Sequence, residues 1–293
     1  MSLVLTVGEV VAPVFLLATI GYVWVRLGLD YDIAFVTRMS MTLGVPCLIF
    51  VSLMRTKIDP AALTTLSLAS VAAYGAITVA MLALVLLARL DLRTYLAPLI
   101  FGNTGNLGLP LALFAFGDIG LDYAVVVFAV MAIYSFTVGV WIVSGGGSVL
   151  RVIREPMVAG TLLGTLFLWQ GWETPTFVTN TLQLVGQLAI PLMLITLGVA
   201  VARLSLRGFL RPAVLAILKA GACIAIGLAV AHAFGLDPVA GAVLVLQVST
   251  PVAVTSYLLA SKYGADADAV AGLVVVSTLS SVVYIPLTLA YVM

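Results

Sequence analysis

Two short polar stretches interrupt an otherwise apolar chain. FGNTGNLGLP, Phe101 to Pro110, sets Asn103, Thr104, Gly105 and Asn106 ahead of Pro110. QVSTPVAVTS, Gln247 to Ser256, sets Gln247, Ser249 and Thr250 ahead of Pro251, with Thr255 and Ser256 behind it. Amides and hydroxyls donate and accept hydrogen bonds. Proline removes a backbone donor and breaks a helix, and glycines such as Gly102, Gly105 and Gly108 permit backbone turns that other residues resist. Together these types predict two interrupted helices whose freed polar groups hold a ligand. A half-helix is expected to begin near Pro110 and another near Pro251, since proline suits a first helical position. Helix N-termini carry free N–H groups and the positive end of the dipole. Two of them converging form a site for a small anion, above all a carboxylate, without needing a charged side chain.

The elements around these breaks must explain why they survive. The 293 residues are 63% hydrophobic and only 9% charged, with a mean hydropathy of +1.26. A soluble domain carries roughly 25% charged residues, so the fold class expected is an all-α polytopic membrane protein. In lipid an unpaired backbone group costs several kcal/mol, so a break persists only inside protein or beside a water-filled cavity. The plainer alternative is a pair of proline kinks in packed spans. The net charge of +1 offers no excess that would attract nucleic acid, and Cys47 and Cys223 sit in apolar runs as small core residues. The first apolar run lacks a basic leader and is long enough to span, so no cleavable signal is expected.

Ten apolar runs follow, at about 3–25, 35–54, 61–88, 94–116, 121–143, 156–172, 176–202, 209–234, 237–262 and 268–291. The fourth and ninth hold the breaks. With the N-terminus outside, the inner loops carry ten Lys or Arg residues and the outer loops carry two, Arg55 and Lys57. That asymmetry follows the positive-inside rule, so both termini are expected outside the cytoplasm, in a multi-pass protein of the plasma or inner membrane.

The prolines reveal a repeat. Pro13 and Pro156 are 143 residues apart, Pro46 and Pro191 145, Pro98 and Pro238 140, and Pro110 and Pro251 141. FGDIGLDYAVVVFAV (116–130) also resembles YGADADAVAGLVVVS (263–277), each opening on a Gly-containing turn. Five spans per copy put the second copy into the membrane from the opposite side. The expected domains are therefore 1–143 and 144–293, an inverted repeat with a broken helix in each half, as secondary transporters show.

Other polar residues carry weaker expectations. Lys219 lies about ten residues into the eighth span, near the midplane, where a lysine is functional by default. It is expected to brace the crossover, standing in for a bound cation, ahead of touching substrate. Glu9 and His232 read as structural or interfacial. Asp118, Asp122, Asp266 and Asp268 read as turn and helix-start residues, and Pro46 and Pro191 as kinks that support the crossover. No metal-ligand spacing or phosphate loop is present, so neither metal nor cofactor is expected, and an intramembrane enzyme has no support in the spacing.

GNTGNLGLPLALFAFG (102–117), REPMVAGTLLGTL (154–166), LAIPLMLITLGVAV (188–201) and the ending TPVAVTSYLLASKYGADADAVAGLVVVSTLSS (250–281) resemble the auxin efflux carrier family, in its compact bacterial form without a long central loop. The resemblance implies ten helices in two inverted five-helix repeats, the fold of sodium–bile acid symporters. It implies a scaffold of spans one, two, six and seven, and a mobile unit of spans three to five and eight to ten that works as an elevator. The implied cargo is a small organic anion such as malate, malonate or an auxin-like acid. A sodium-coupled symporter and a ligand sensor on the same fold are the alternatives. A scaffold face could support a homodimer.

Overall fold

The computed structural model describes residues 3–56, 58–145, 156–203 and 210–293. Every regular element among them is a helix. The first group is α1 (Leu3–Arg26), α2 (Ile33–Met39), α3 (Val45–Arg55), α4 (Pro60–Leu87), α5 (Leu92–Ile100), α6 (Leu109–Tyr134) and α7 (Val140–Ser144). The second is α8 (Pro156–Gln170), α9 (Thr176–Gln187), α10 (Ala189–Arg203), α11 (Leu210–Ala233), α12 (Pro238–Val248), α13 (Val254–Tyr263) and α14 (Ala267–Val292). Three π-helical turns join neighbours, at Ser40–Gly44, Thr104–Gly108 and Ser135–Gly139.

Aspartates start many of these helices. Asp32, Asp59, Asp91, Asp237 and Asp266 each accept a hydrogen bond from a first-turn backbone amide, which satisfies donors that have no partner within the helix. Five of the chain's 12 acids are thus occupied at helix starts, which leaves few for chemistry.

Six helical stretches are long and apolar enough to cross a bilayer: Ile33–Arg55, Pro60–Leu87, Thr104–Ser144, Thr176–Arg203, Leu210–Ala233 and Ala267–Val292. The protein is therefore a multi-pass membrane protein. The stretch Thr104–Ser144, at 41 residues, would run about 60 Å if straight, twice the hydrocarbon thickness. It does not run straight. Gly117 has φ 66° and ψ −155°, a conformation essentially restricted to glycine. A Cβ on Gly120 would lie 2.5 Å from the Ala112 carbonyl oxygen, eight residues back, so the chain doubles over at Gly117 and α6 is two antiparallel limbs. Gly264, which opens the other glycine turn of the repeated text, also has positive φ, at 70°.

The helices pack in two groups. α1 lies on α10, and α3 lies on α8 and α9. α4 packs on α5, α6 and α11, while α11 packs on α12 and α14. Close approach in the first group depends on missing side chains. A Cβ on Gly198 would fall 1.7 Å from the Ala18 carbonyl oxygen, and one on Gly21 would fall 2.0 Å from that of Ile195. Small residues let helices in a membrane approach at backbone distance.

Candidate functional site

Helix gives way at both polar stretches. α5 ends at Ile100, residues 101–103 are non-helical, and the π turn Thr104–Gly108 leads into α6. α12 ends at Val248, residues 249–253 are non-helical, and α13 begins at Val254. The helical segments that follow start at Thr104, six residues before Pro110, and at Val254, three residues after Pro251. Pro110 is the second residue of α6, where the preceding π turn has already altered the backbone pairing that its ring would obstruct. Pro251 lies within the non-helical link, where its missing N–H costs nothing and its carbonyl is free to accept.

The two links cross. Gly102 pairs with Val252 as an isolated antiparallel bridge, and the Asn103 amide donates to the Pro251 carbonyl at 2.6 Å. A Cβ on Gly102 would sit 2.2 Å from Thr250 Oγ1 and 2.9 Å from its carbonyl oxygen, so only glycine permits this approach. Side chains hold the second link. Val252 N donates to Ser277 Oγ at 3.0 Å, and the Tyr284 hydroxyl donates to the Ser249 carbonyl at 3.0 Å. Lys219 Nζ donates to the Thr250 carbonyl at 2.9 Å, at the C-terminal end of α12, where carbonyls and the dipole favour a cation.

The residues expected in the site divide into two sets. Asn103, Gly105 and Asn106 line a cavity of about 90 Å³, together with Gly102, Thr255, Ser256 and Ser135. Met41, Phe101, Phe128, Met131 and Leu259 supply apolar wall, and among the described residues no charged side chain lines it. Thr104, Pro110, Gln247, Ser249, Thr250 and Pro251 are buried in the crossing behind this wall. Ser249 and Thr250 turn their hydroxyls onto the carbonyls of Leu246 and Gln247, and Gln247 packs against Gly108. Pro46 presents its carbonyl to Gly160 of α8. Pro191 lines a second, larger cavity of about 770 Å³ with α3, α9 and the Gly117 turn of α6.

Several polar atoms at the crossing have no hydrogen-bond partner among the described residues. They are Asn103 Nδ2, Thr104 Oγ1 and both amide atoms of Gln247. Asn103 is 4% exposed, so an unpaired amide there is costly unless something else occupies it. Neither half-helix start has a side-chain cap, which leaves first-turn amides available to a ligand. A donor amide, three hydroxyls and two uncapped helix starts around a small space with an apolar floor suit a compact anion.

Two features escaped the residue pattern. All three π turns contribute to the cavity wall, through Met41, through Gly105 and Asn106, and through Ser135 and Gly139; π bulges often mark functional sites. Asp122, expected as a helix-start residue, accepts a hydrogen bond from Ser52 of α3. Asp266 and Asp268 do lie at the start of α14, and Asp118 is exposed beside Gly117. His232 is exposed in the last turn of α11. The Glu9 side chain lies outside the described residues. Among the described residues, no three His, Cys, Asp or Glu side chains gather as a metal cluster.

The profile of the membrane transport protein family matches this chain over residues 6–149 and 144–289. An uncharacterized transporter of Methanothermobacter thermautotrophicus is 30% identical over 299 residues, covering 95% of this chain and 96% of its own length. A protein of Rhizobium meliloti with the provisional name malonate transporter is 24% identical over 300 residues, covering 93% of this chain and 91% of that one. An uncharacterized transporter of Methanocaldococcus jannaschii is 26% identical over 200 residues, 64% of each chain.

Proposed function

Because this chain belongs to the membrane transport protein family, we propose that it is a secondary transporter that carries a small organic anion, of the malonate or malate class, bound at the crossing of its two interrupted helices. The observation that carries the reading is the unpartnered Asn103 amide in an uncharged cavity beside two uncapped helix starts. A dicarboxylate would accept from Asn103 Nδ2, from the hydroxyls of Ser135, Thr255 and Ser256, and from first-turn amides of α13. The relative with the provisional name malonate transporter supports the size class.

The architecture we propose is ten spans in two inverted repeats. The packing supports it, because exchanging the repeats exchanges contacts. Span one on seven (α1 on α10) becomes span six on two (α8 on α3), and span three on the first half of four (α4 on α5) becomes span eight on the first half of nine (α11 on α12). Spans one, two, six and seven would form a scaffold, and the rest would form a unit that slides as an elevator. The two cavities support alternating access. One is lined at the break itself, from Ala97 to Asn106, and the other beyond it, from Leu113 through the Gly117 turn to Asp122. Both termini would face outside the cytoplasm.

Sodium coupling is the second reading, and Lys219 argues against it. Its ammonium already occupies the Thr250 carbonyl that a bound cation would bridge. The test uses purified protein in liposomes, in sodium-free buffer, with malonate, malate, succinate, indole-3-acetate and taurocholate added in turn. A saturable current or isotope uptake with one of the acids is expected. Uptake that appears only on adding sodium would replace this reading with the symporter.

A further inference from the structure

A unit that slides on a scaffold, the reading on which this inference rests, needs contacts that form in one position and break before the other. Most of the boundary between the two groups of helices offers nothing directional. Gly105 meets the Met193 side chain, and Leu17 and Ile190 line the larger cavity opposite Leu113 and Phe114. Among the described residues, one carboxylate is hydrogen-bonded across that boundary. Ser52 Oγ of α3 donates to Asp122 Oδ1 of α6.

We infer that Asp122 is a positioning residue, the latch that holds the mobile unit in the position seen here until Ser52 releases it. Three observations carry this. The partners lie 70 residues apart on different packing groups, so the bond reports the relation between the groups and not local helix structure. Hydrogen bonds to an ionised acceptor are roughly twice as strong as neutral ones, so this one can bias a balance between positions. Ser52 and Asp122 also line the cavity of about 770 Å³, so water can take over the serine hydroxyl's role as the unit moves, and the latch opens without stranding a charge. Asp122 sits five residues beyond Gly117, on the limb that the glycine turn fixes. Arg55, nearby on α3, donates instead to Gln183 Oε1 at 3.0 Å, within its own group.

The test is a distance measurement that needs no knowledge of the cargo. Spin labels replace exposed Trp169 on α8 and exposed Leu87 on α4, in full-length protein carrying Cys47→Ala and Cys223→Ala, in lipid nanodiscs. One main distance is expected with Ser52 and Asp122 intact. Ser52→Ala and Asp122→Asn should each raise the share of a second distance at least several-fold, while Ser52→Thr, which keeps the hydroxyl, should preserve the first. If Asp122→Asn does not fold, Ser52→Ala reads the same bond from the scaffold side. A distribution unchanged in Ser52→Ala overturns the latch. Saturating malonate, added to protein with the latch intact, separates the two ideas. A shift with malonate but none on mutation rejects the latch alone, and a distance that never changes under any condition rejects the sliding unit as well.

Discussion

Lys219 reaches from α11 to the main-chain carbonyl of Thr250, 2.9 Å away, and is 2% exposed. A lysine buried this deeply in an apolar span is held by what it bonds, and here it bonds backbone. Among the described residues, Lys219 is the side chain that donates to that carbonyl. Lys219→Met keeps the length and apolar stem but leaves the Thr250 carbonyl unpaired, and a lost hydrogen bond to a charged group costs about 1.5–3 kcal/mol. We expect the melting temperature in detergent to drop by several degrees and uptake to fall at least tenfold. A variant with unchanged melting and uptake would show that the ammonium contributes nothing to the crossing.

Asn103 holds the crossing with its backbone and offers its side chain to the cavity. Asn103→Ala keeps the backbone N–H hydrogen bond to the Pro251 carbonyl, so the fold should survive with its melting temperature nearly unchanged. Loss of one charge-assisted bond of about 1.5–3 kcal/mol corresponds to roughly ten- to hundredfold weaker binding. Binding of malonate by titration calorimetry checks this, and an unaltered Kd would remove Asn103 from the site.

Glycine tolerance offers a contrast within one protein. Gly102→Ala drives a Cβ into Thr250 and should separate the two links, abolishing uptake. Gly75→Ala, on α4, meets nothing within 4 Å and should be neutral or stabilising by about 0.5–1 kcal/mol. Parallel uptake and melting assays on the two variants decide whether the close crossing matters or whether any glycine in a span would do.

Gly117 sets the turn between the two limbs of α6 with φ 66° and ψ −155°. Gly117→Ala should cost about 1–3 kcal/mol of backbone strain, although a Cβ there would meet no atom within 4 Å. The expected readout is lower thermal stability with malonate affinity retained, because Gly117 does not line the Asn103 cavity. An unchanged melting temperature would mean that the turn relaxes without penalty.

Residue types made the breaks legible in the sequence. Proline, glycine and asparagine act locally, so the departures from helix fell where FGNTGNLGLP and QVSTP placed them. The buried ammonium was legible too, since a lone lysine in an apolar run has few reasons to be there. The cavity wall was not. Phe128, Met131 and Ser135 look like ordinary span residues, and what turns them inward is tertiary placement and a π turn, neither of which leaves a trace in composition. By its sequence neighbourhood Asp122 reads as a helix-start residue. Its partner Ser52 lies in another helix, and no periodicity connects them.

The three π turns carry a consequence for how such a protein can be retuned. Each wide turn carries one residue more than an α-helical path would need, and one residue is about 100° of rotation at 3.6 residues per turn. Helix on one side of Ser135–Gly139 is therefore out of rotational phase with helix on the other, and the same holds at Ser40–Gly44. A single-residue deletion within such a turn can be absorbed as ordinary α-helix, swinging the whole far segment about its axis. Substitution changes one side chain in the cavity, whereas a deletion would exchange one helical face for another, so changes in chain length offer a coarser way to alter what the cavity accepts.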